Sequence, residues 1–187
     1  KVTEFITALG DPWDIVYNEG LLYVSERSSH RISVFDATTG TLMRVLVQGK
    51  ALAYVDLRFR EVVQLATLAA IQAEPCVAPE GLFRMDGWLY FGSRAMESVK
   101  RVNIVSGAVE NVCAVPASGN SKFMKVSVSD GTFGPKGTVF TWTWANLEFG
   151  QPRSVLPDGK RWEWDYPWTG TAGGAGQWAN FVYVTAG

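Results

Sequence analysis

The chain has 187 residues, 47% hydrophobic and 19% charged, which suits a globular domain long enough to build one real core. Its 17 basic and 18 acidic residues form no basic tract that could neutralise a row of phosphates, and no apolar run nears the ~20 residues of a membrane span, so nucleic acid and a spanning helix are excluded. Eight tryptophans, a 13% aromatic share and 19 glycines favour strands and turns over helices.

The first residues, Lys1-Val2-Thr3-Glu4-Phe5, do not have the shape of a signal peptide, and the compartment stays open. Residues 12–46 (PWDIVYNEGLLYVSERSSHRISVFDATTGTLMRVL) form the first of two related stretches. The second is 79–113 (PEGLFRMDGWLYFGSRAMESVKRVNIVSGAVENVC). Laid over one another without a gap, they agree at Pro12/Pro79, Gly20/Gly87, Leu22/Leu89, Tyr23/Tyr90, Arg27/Arg94, Gly40/Gly107 and Val45/Val112. The glycines of Asn18-Glu19-Gly20 and Met85-Asp86-Gly87 suit tight turns that need positive φ, and Gly40 and Gly107 mark a second turn. Each copy therefore reads as four short strands, 13–17, 21–26, 31–36 and 41–46 in the first, with partners at the same offset in the second. Four antiparallel strands joined by tight turns make a propeller blade, and such sheets must stack to bury both faces.

The first copy resembles the NHL repeat. Pro12, the Glu19-Gly20 turn, Tyr23-Val24-Ser25-Glu26, Ser29-His30-Arg31-Ile32 and Val34-Phe35-Asp36 stand at that family's positions, with Glu26 and Ser29 departing from its usual Asp and Asn. The second copy keeps Leu89-Tyr90-Phe91 but has no Arg-Ile pair at the aligned place. The resemblance implies an all-β, β-propeller-like array of four-stranded antiparallel blades.

Between the copies, 47–78 reads as a strand followed by a short helical insertion at about 58–74, where apolar residues fall near helical spacing. Past Asn120, residues 123–165 read as a third blade. Its strands are expected at 123–130 and 137–146, then at Ser154-Val155-Leu156, with the Pro157-Asp158-Gly159 turn leading into 161–165. Residues 178–187 (WANFVYVTAG) would start a fourth blade and close with 1–9 as its outer strand, giving a single domain over 1–187. At roughly 40–50 residues per blade the length allows about four, and a small ring, a fragment and an open array all remain open.

The chemistry-bearing residues are sparse. His30, the single histidine, falls in a turn that the repeat itself explains, and no Gly-x-Ser-x-Gly elbow supports a triad around it. Cys76 and Cys113 bracket the second copy and read as small buried residues, with a disulfide as the alternative. The run 170–176 is glycine-rich but lacks the Gly-Lys-Ser/Thr ending of a phosphate loop. Trp142 with Trp144, and Trp162 with Trp164, alternate along strands as core ladders or as a stacking surface, whereas Trp13 and Trp168 lie beside prolines. Arg27 and Arg94 repeat in the turn after the second strand, as surface donors or as ion pairs between blades.

The expected function is a non-enzymatic binding or scaffold module recognising a protein, small ligand or glycan through loops on one face, with self-association open. Its expected ligand-binding residues are Trp13, Glu26, Arg27, Arg94, Trp144 and Asn146, all read as connectors or strand ends, with no catalytic residue, resident metal or cofactor. Two alternatives stay open: the resemblance allows a lactonase-like, metal-assisted hydrolase or lyase with Ca²⁺ or Mg²⁺ held by oxygens such as Asp14, Glu80 and Asn120, and the tryptophan pattern allows a carbohydrate binder.

Overall fold

The structure is a computed structural model, and it describes residues 4–50, 68–93, 95–114, 121–132, 135–145 and 153–155. The first sheet is β1 (Pro12–Asn18), β2 (Leu21–Glu26), β3 (Arg31–Asp36) and β4 (Leu42–Gln48), paired in chain order and antiparallel. A short helix α1 (Leu68–Ala73) precedes the second sheet, β5 (Leu82–Met85), β6 (Trp88–Ser93), β7 (Ser98–Asn103) and β8 (Val109–Ala114), again in chain order. The third sheet holds β9 (Ser121–Val128), β10 (Val139–Ala145) and β11 (Arg153–Val155) in the order β11-β10-β9. The described fold is thus all-β apart from one turn-and-a-half of helix.

The turns explain why the two repeats fold alike. Glu19 and Gly20 both take positive φ (48° and 80°), as do Asp86 and Gly87 (50° and 76°). Two successive positive φ values make a two-residue hairpin loop whose twist matches that of the flanking strands, and the registers Asn18↔Leu21 and Met85↔Trp88 close on it. Between the third and fourth strands a side chain holds the turn. The Asp36 carboxylate accepts the Thr38 and Thr39 N–H groups at 2.9 and 2.7 Å. Asn103 does the same with its amide oxygen for Val105 and Ser106 at 3.0 and 2.9 Å.

Period-two alternation gives each sheet two apolar faces, and the sheets stack on them. Tyr23, Ile32, Val34 and Leu46 of the first sheet pack against Leu82, Leu89, Phe91 and Val102 of the second. The opposite face of the second sheet, with Tyr90 and Val99, packs against Val126, Val128 and Val139 of the third. The stack therefore runs head to tail: each sheet offers a different face to the sheet before it and the sheet after it.

Several expectations move. The ungapped Val45/Val112 match is not a structural equivalence. β4 carries two register shifts against β3, which pass over Leu46 and Met43. β8 carries one against β7, at Val112. By register, Leu46 answers Val112 and Val45 answers Asn111, because a β-bulge inserts a residue without disturbing the ladder on either side. Helix α1 lies inside the expected 58–74 span, but residues 51–67 fall outside the described residues. Strand β9 starts two residues earlier than its expected 123, and β11 lies at Arg153–Val155. Residues 4–9 form no strand, and the expected partner strand at 178–187 and the strand at 161–165 lie outside the described residues.

Candidate functional site

One end of the first sheet gathers most of the polar side chains that the repeat does not need for its core. Here β1 begins, β2 ends and β3 begins, and the residues leading into β5 pass close by. Arg27 is the centre. Its backbone N–H donates to Asp11 O at 3.0 Å, and its Nε donates to the Asp11 carboxylate at 3.0 Å. The guanidinium lies over the Trp13 ring, 4.6 Å from its centroid, and its Nη1 stands 3.8 Å from the buried Glu80 carboxylate of the next repeat. A planar cation sandwiched between an indole and two carboxylates is held in one orientation while part of it remains in contact with solvent. The Arg27 side chain is 21% exposed and that of Asp11 48%.

Beneath this pair the two repeats are stitched together. The Ser25 hydroxyl donates to Glu80 O at 2.7 Å and accepts the Asp14 N–H at 3.0 Å. The Asp14 carboxylate accepts the Leu82 N–H at 2.9 Å, across the gap between the sheets. Asp14 and Glu80, the residues named for a metal, are thus joined through Ser25 by their backbone groups, while the Asp14 carboxylate is engaged by Leu82 and that of Glu80 faces Arg27. Asn120 lies outside the described residues. Among the described residues, no three His, Cys, Asp or Glu side chains are grouped to hold a metal ion.

Glu26 is the last residue of β2, a strand end as expected, but it is fully buried and its carboxylate is engaged by several donors. Arg31 donates to it through Nε at 2.8 Å and Nη2 at 3.0 Å, Ser33 through its hydroxyl at 2.5 Å, and Gly10 through its backbone N–H at 2.8 Å. Burial alone would raise its pKa, but the hydrogen bonds from Arg31, Ser33 and Gly10 outweigh that and hold it below the ordinary 4.5. The second sheet solves the same problem with other chemistry. Ser93, aligned with Glu26, donates to Val77 O, and Val77 is the residue aligned with Gly10. Lys100, aligned with Ser33, is nearly fully buried and donates to Gln72 O at 2.7 Å and Glu74 O at 2.6 Å, at the C-terminal end of α1. Glu26 is therefore a latch between the sheet and its lead-in segment.

The remaining candidates divide. Trp13 belongs to β1 rather than to a connector, half-buried under Arg27. Trp144 lies in β10. Arg94, Asn146, Trp162, Trp164 and Trp168 lie outside the described residues, as does the 170–176 run. Cys76 and Cys113 are both free thiols rather than a bridge. Burial pushes the Cys76 thiol up strongly and the Cys113 thiol to about 11, so neither is a thiolate near neutrality. His30 has φ 51° in its turn and accepts the Ala78 N–H at Nδ1, 3.0 Å away, so it joins the first repeat to the segment before the second. Burial lowers its pKa below 6.5, which keeps the ring neutral.

Two features escaped the sequence reading. Asp11 precedes the aligned stretch and has no marked motif, yet it fixes Arg27. Arg101 lies over the Trp88 ring at 4.3 Å, bonds Glu110 at 2.7 Å and reaches the Tyr90 hydroxyl at 3.2 Å. Tyr90 and Arg101 pair across β6 and β7, in the hairpin that closes at Ser93↔Ser98.

These sheets, two of four strands and one of three among the described residues, paired in chain order and stacked face to face, define a β-propeller-like protein built from repeats. The NHL repeat family model matches residues 9–35, which covers β1, β2 and most of β3. No curated protein matches the chain. Solved structures similar to it include hydrazine synthase of Kuenenia stuttgartiensis, with a TM-score of 0.48 and 16% identity over 86% of this chain and 37% of that one. Another is the computationally designed Ika8 protein, with a TM-score of 0.36 and 16% identity over 80% of this chain and 44% of that one. The chain thus spans less than half the length of either. Among the described residues, no helix is long and apolar enough to cross a membrane.

Proposed function

We propose that the chain is a non-enzymatic binding module that recognises a protein partner at the end of the stacked sheets where Trp13 and Arg27 meet. The carrying observation is the Arg27 guanidinium laid over the Trp13 ring beside an exposed Asp11 carboxylate. A stacked Trp–Arg pair loses little conformational freedom on binding and offers both apolar area and directed donors, the residue types that dominate binding hot spots. Its support is rigid: β1, the β2–β3 turn and the lead-in to β5 are tied by Ser25, Asp14 and Glu80. The NHL match fits this use, since propellers of that repeat commonly mediate protein interactions.

The test uses Arg27→Lys, which keeps the charge but loses the planar fork, and Trp13→Phe, which keeps an aromatic ring. A partner captured by the unsubstituted chain is purified and titrated against all three proteins by calorimetry. Both variants are expected to bind at least ~10-fold more weakly, about 1.4 kcal/mol, with circular dichroism unchanged. Equal affinity for all three proteins would overturn the assignment of this end as the binding surface.

A further inference from the structure

At the Trp13–Arg27 end, polar ties join the first sheet and its β2–β3 turn to the segment that leads into β5. Ser25 donates to Glu80 O at 2.7 Å, Asp14 accepts the Leu82 N–H at 2.9 Å, and His30 accepts the Ala78 N–H at 3.0 Å. Arg27 stands 3.8 Å from the Glu80 carboxylate. Both sides of the His30 tie are anchored to their own sheet. The His30 N–H donates to Arg27 O at 3.3 Å, and its carbonyl accepts the Gly49 N–H at 2.9 Å. Across the gap, Val77 O accepts the Ser93 hydroxyl, and the Glu80 N–H donates to Gly92 O at 2.9 Å. Ala78, between those anchors, has φ 42°, a left-handed backbone that a non-glycine residue holds only against strain. The His30 tie depends on an imidazole lone pair, which protonation removes within reach of physiological pH. A neutral Nδ1 receives the Ala78 N–H, whereas a protonated one aims its own N–H at that donor.

We propose that His30 gates the Trp13–Arg27 end: the neutral ring holds the two sheets together there, and the protonated ring drives Ala78 off, separates Glu80 from Arg27 and takes the docking surface apart. The gate acts on the surface assigned above to partner binding and rests on that assignment. The Arg27–Glu80 contact is the longest of the ties, so it is the first to leave ion-pair range as the sheets part. Arg27 then keeps Asp11 and Trp13 but loses its hold on the second sheet. Half-burial leaves the ring open to a proton from solvent and pushes its pKa below 6.5, so the surface is complete at pH 7.5 and comes apart in acid. The titratable groups on the surrounding elements do not bond the ring, whose hydrogen bond among the described residues is the one from Ala78. Arg31 is bound to Glu26, Arg27 to Asp11, and the Glu74 carboxylate accepts the Lys50 N–H. The Glu80 carboxylate faces Arg27, the Cys76 thiol is neutral, and Glu97 lies on the β6–β7 turn that packs on Ala78.

The experiment follows the full chain, without a partner, by NMR. His30 is the single histidine, so its Cε1–H signal reports ring protonation without ambiguity. The Arg27 Nε–H, bonded to Asp11, and the Ala78 and Leu82 N–H groups report the site, the first assigned by its loss in Arg27→Lys. On titration downward from pH 7.5, all three are expected to shift with the midpoint of the His30 ring, below 6.5. The Phe91 and Val102 N–H signals of the core between the sheets are expected to stay in place. In His30→Asn, whose Oδ1 can take the place of Nδ1 and whose backbone tolerates φ 51°, the three site signals are expected not to move. Arg27 and Leu82 signals that hold still while the ring titrates overturn the gate, as does the same shift in His30→Asn. A ring that stays neutral until the chain unfolds, or loss of the Phe91 and Val102 signals at the same midpoint, overturns it too. A failed gate is thus distinct from a failed docking surface, which the Arg27→Lys and Trp13→Phe titrations decide at fixed pH.

Discussion

His30, half-buried, and Glu26, fully buried, are ionisable side chains that accept backbone N–H groups from segments outside their own hairpin, and they respond to pH in distinct ranges. His30 has a folded pKa below its ordinary 6.5, so below that pH the unfolded chain takes up a proton that the fold refuses. Its contribution is complete above about pH 6.5 and declines as the pH falls, because the protonated ring can no longer accept the Ala78 N–H. Melting temperature measured at pH 7.5 and 5.5 is expected to drop in the unsubstituted chain, and to drop less in His30→Gln. For Glu26 the folded pKa is also depressed, so its contribution is present above 4.5 and is lost as the pH falls through the lower folded value. Replacing Glu26 by Gln removes the charge from a carboxylate that meets three donors. Arg31, 27% exposed, keeps some water, so the expected loss is about 2–3 kcal/mol by urea unfolding, below that of a fully buried pair. A loss under ~0.5 kcal/mol would return Glu26 to the list of residues held ready for a ligand. Sequence singled out Glu26 as a departure from the family's Asp, but it could not show that Gly10, far outside the hairpin, supplies the fourth hydrogen bond.

The eight strands of the first two sheets were legible because each turn has its own local chemistry. Gly20 and Gly87 take the positive φ that their hairpins require, and open space surrounds both. An alanine at Gly20 therefore meets backbone strain alone, and the expected cost is about 1–2 kcal/mol. Gly49 is the contrasting case, invisible to a reading based on turns. A Cβ there would fall 1.5 Å from the Cys76 carbonyl oxygen, so the end of β4 and the segment before β5 approach to backbone contact. Gly49→Ala has no steric escape within one side chain and should cost about 1–3 kcal/mol, with exchange protection falling at both Gly49 and Val77. Equal effects of the two substitutions in urea melts would argue against that close approach. The bulges in β4 and β8 were hidden for a related reason. They leave the alternation of apolar residues nearly intact and shift only the pairing, so an ungapped alignment still scores Val45 against Val112 although the ladder pairs them differently. In the third sheet, β9 and β10 enclose a longer connection than a two-residue turn, and the register there had no local marker.

Cohesion between the sheets comes from apolar area rather than from the ion pairs at their ends. Phe91 is completely buried between the first two sheets, and its counterpart position in the first sheet, Val24, points to the opposite side of that sheet from Tyr23 and Ile32. Deleting the Phe91 ring leaves a cavity bounded by both sheets, for an expected loss of about 3–5 kcal/mol. The Lys136–Asp86 pair spans the second and third sheets at 3.0 Å, but its side chains are 64% and 62% exposed. Solvent screens such a pair, and Lys136→Ala is expected to change stability by less than ~0.5 kcal/mol. The two variants also differ in what unfolds. Because Phe91 belongs to the interface, Phe91→Ala should lower exchange protection in β2 and β3 as well as in β6 and β7, in a single transition. Lys136→Ala should leave all four strands as they are. A Phe91→Ala protein that loses protection only in its own sheet would mean that the sheets are independent units in contact, and the stacked core would then contribute little to holding the binding end containing Trp13, Arg27 and Glu80 in one shape.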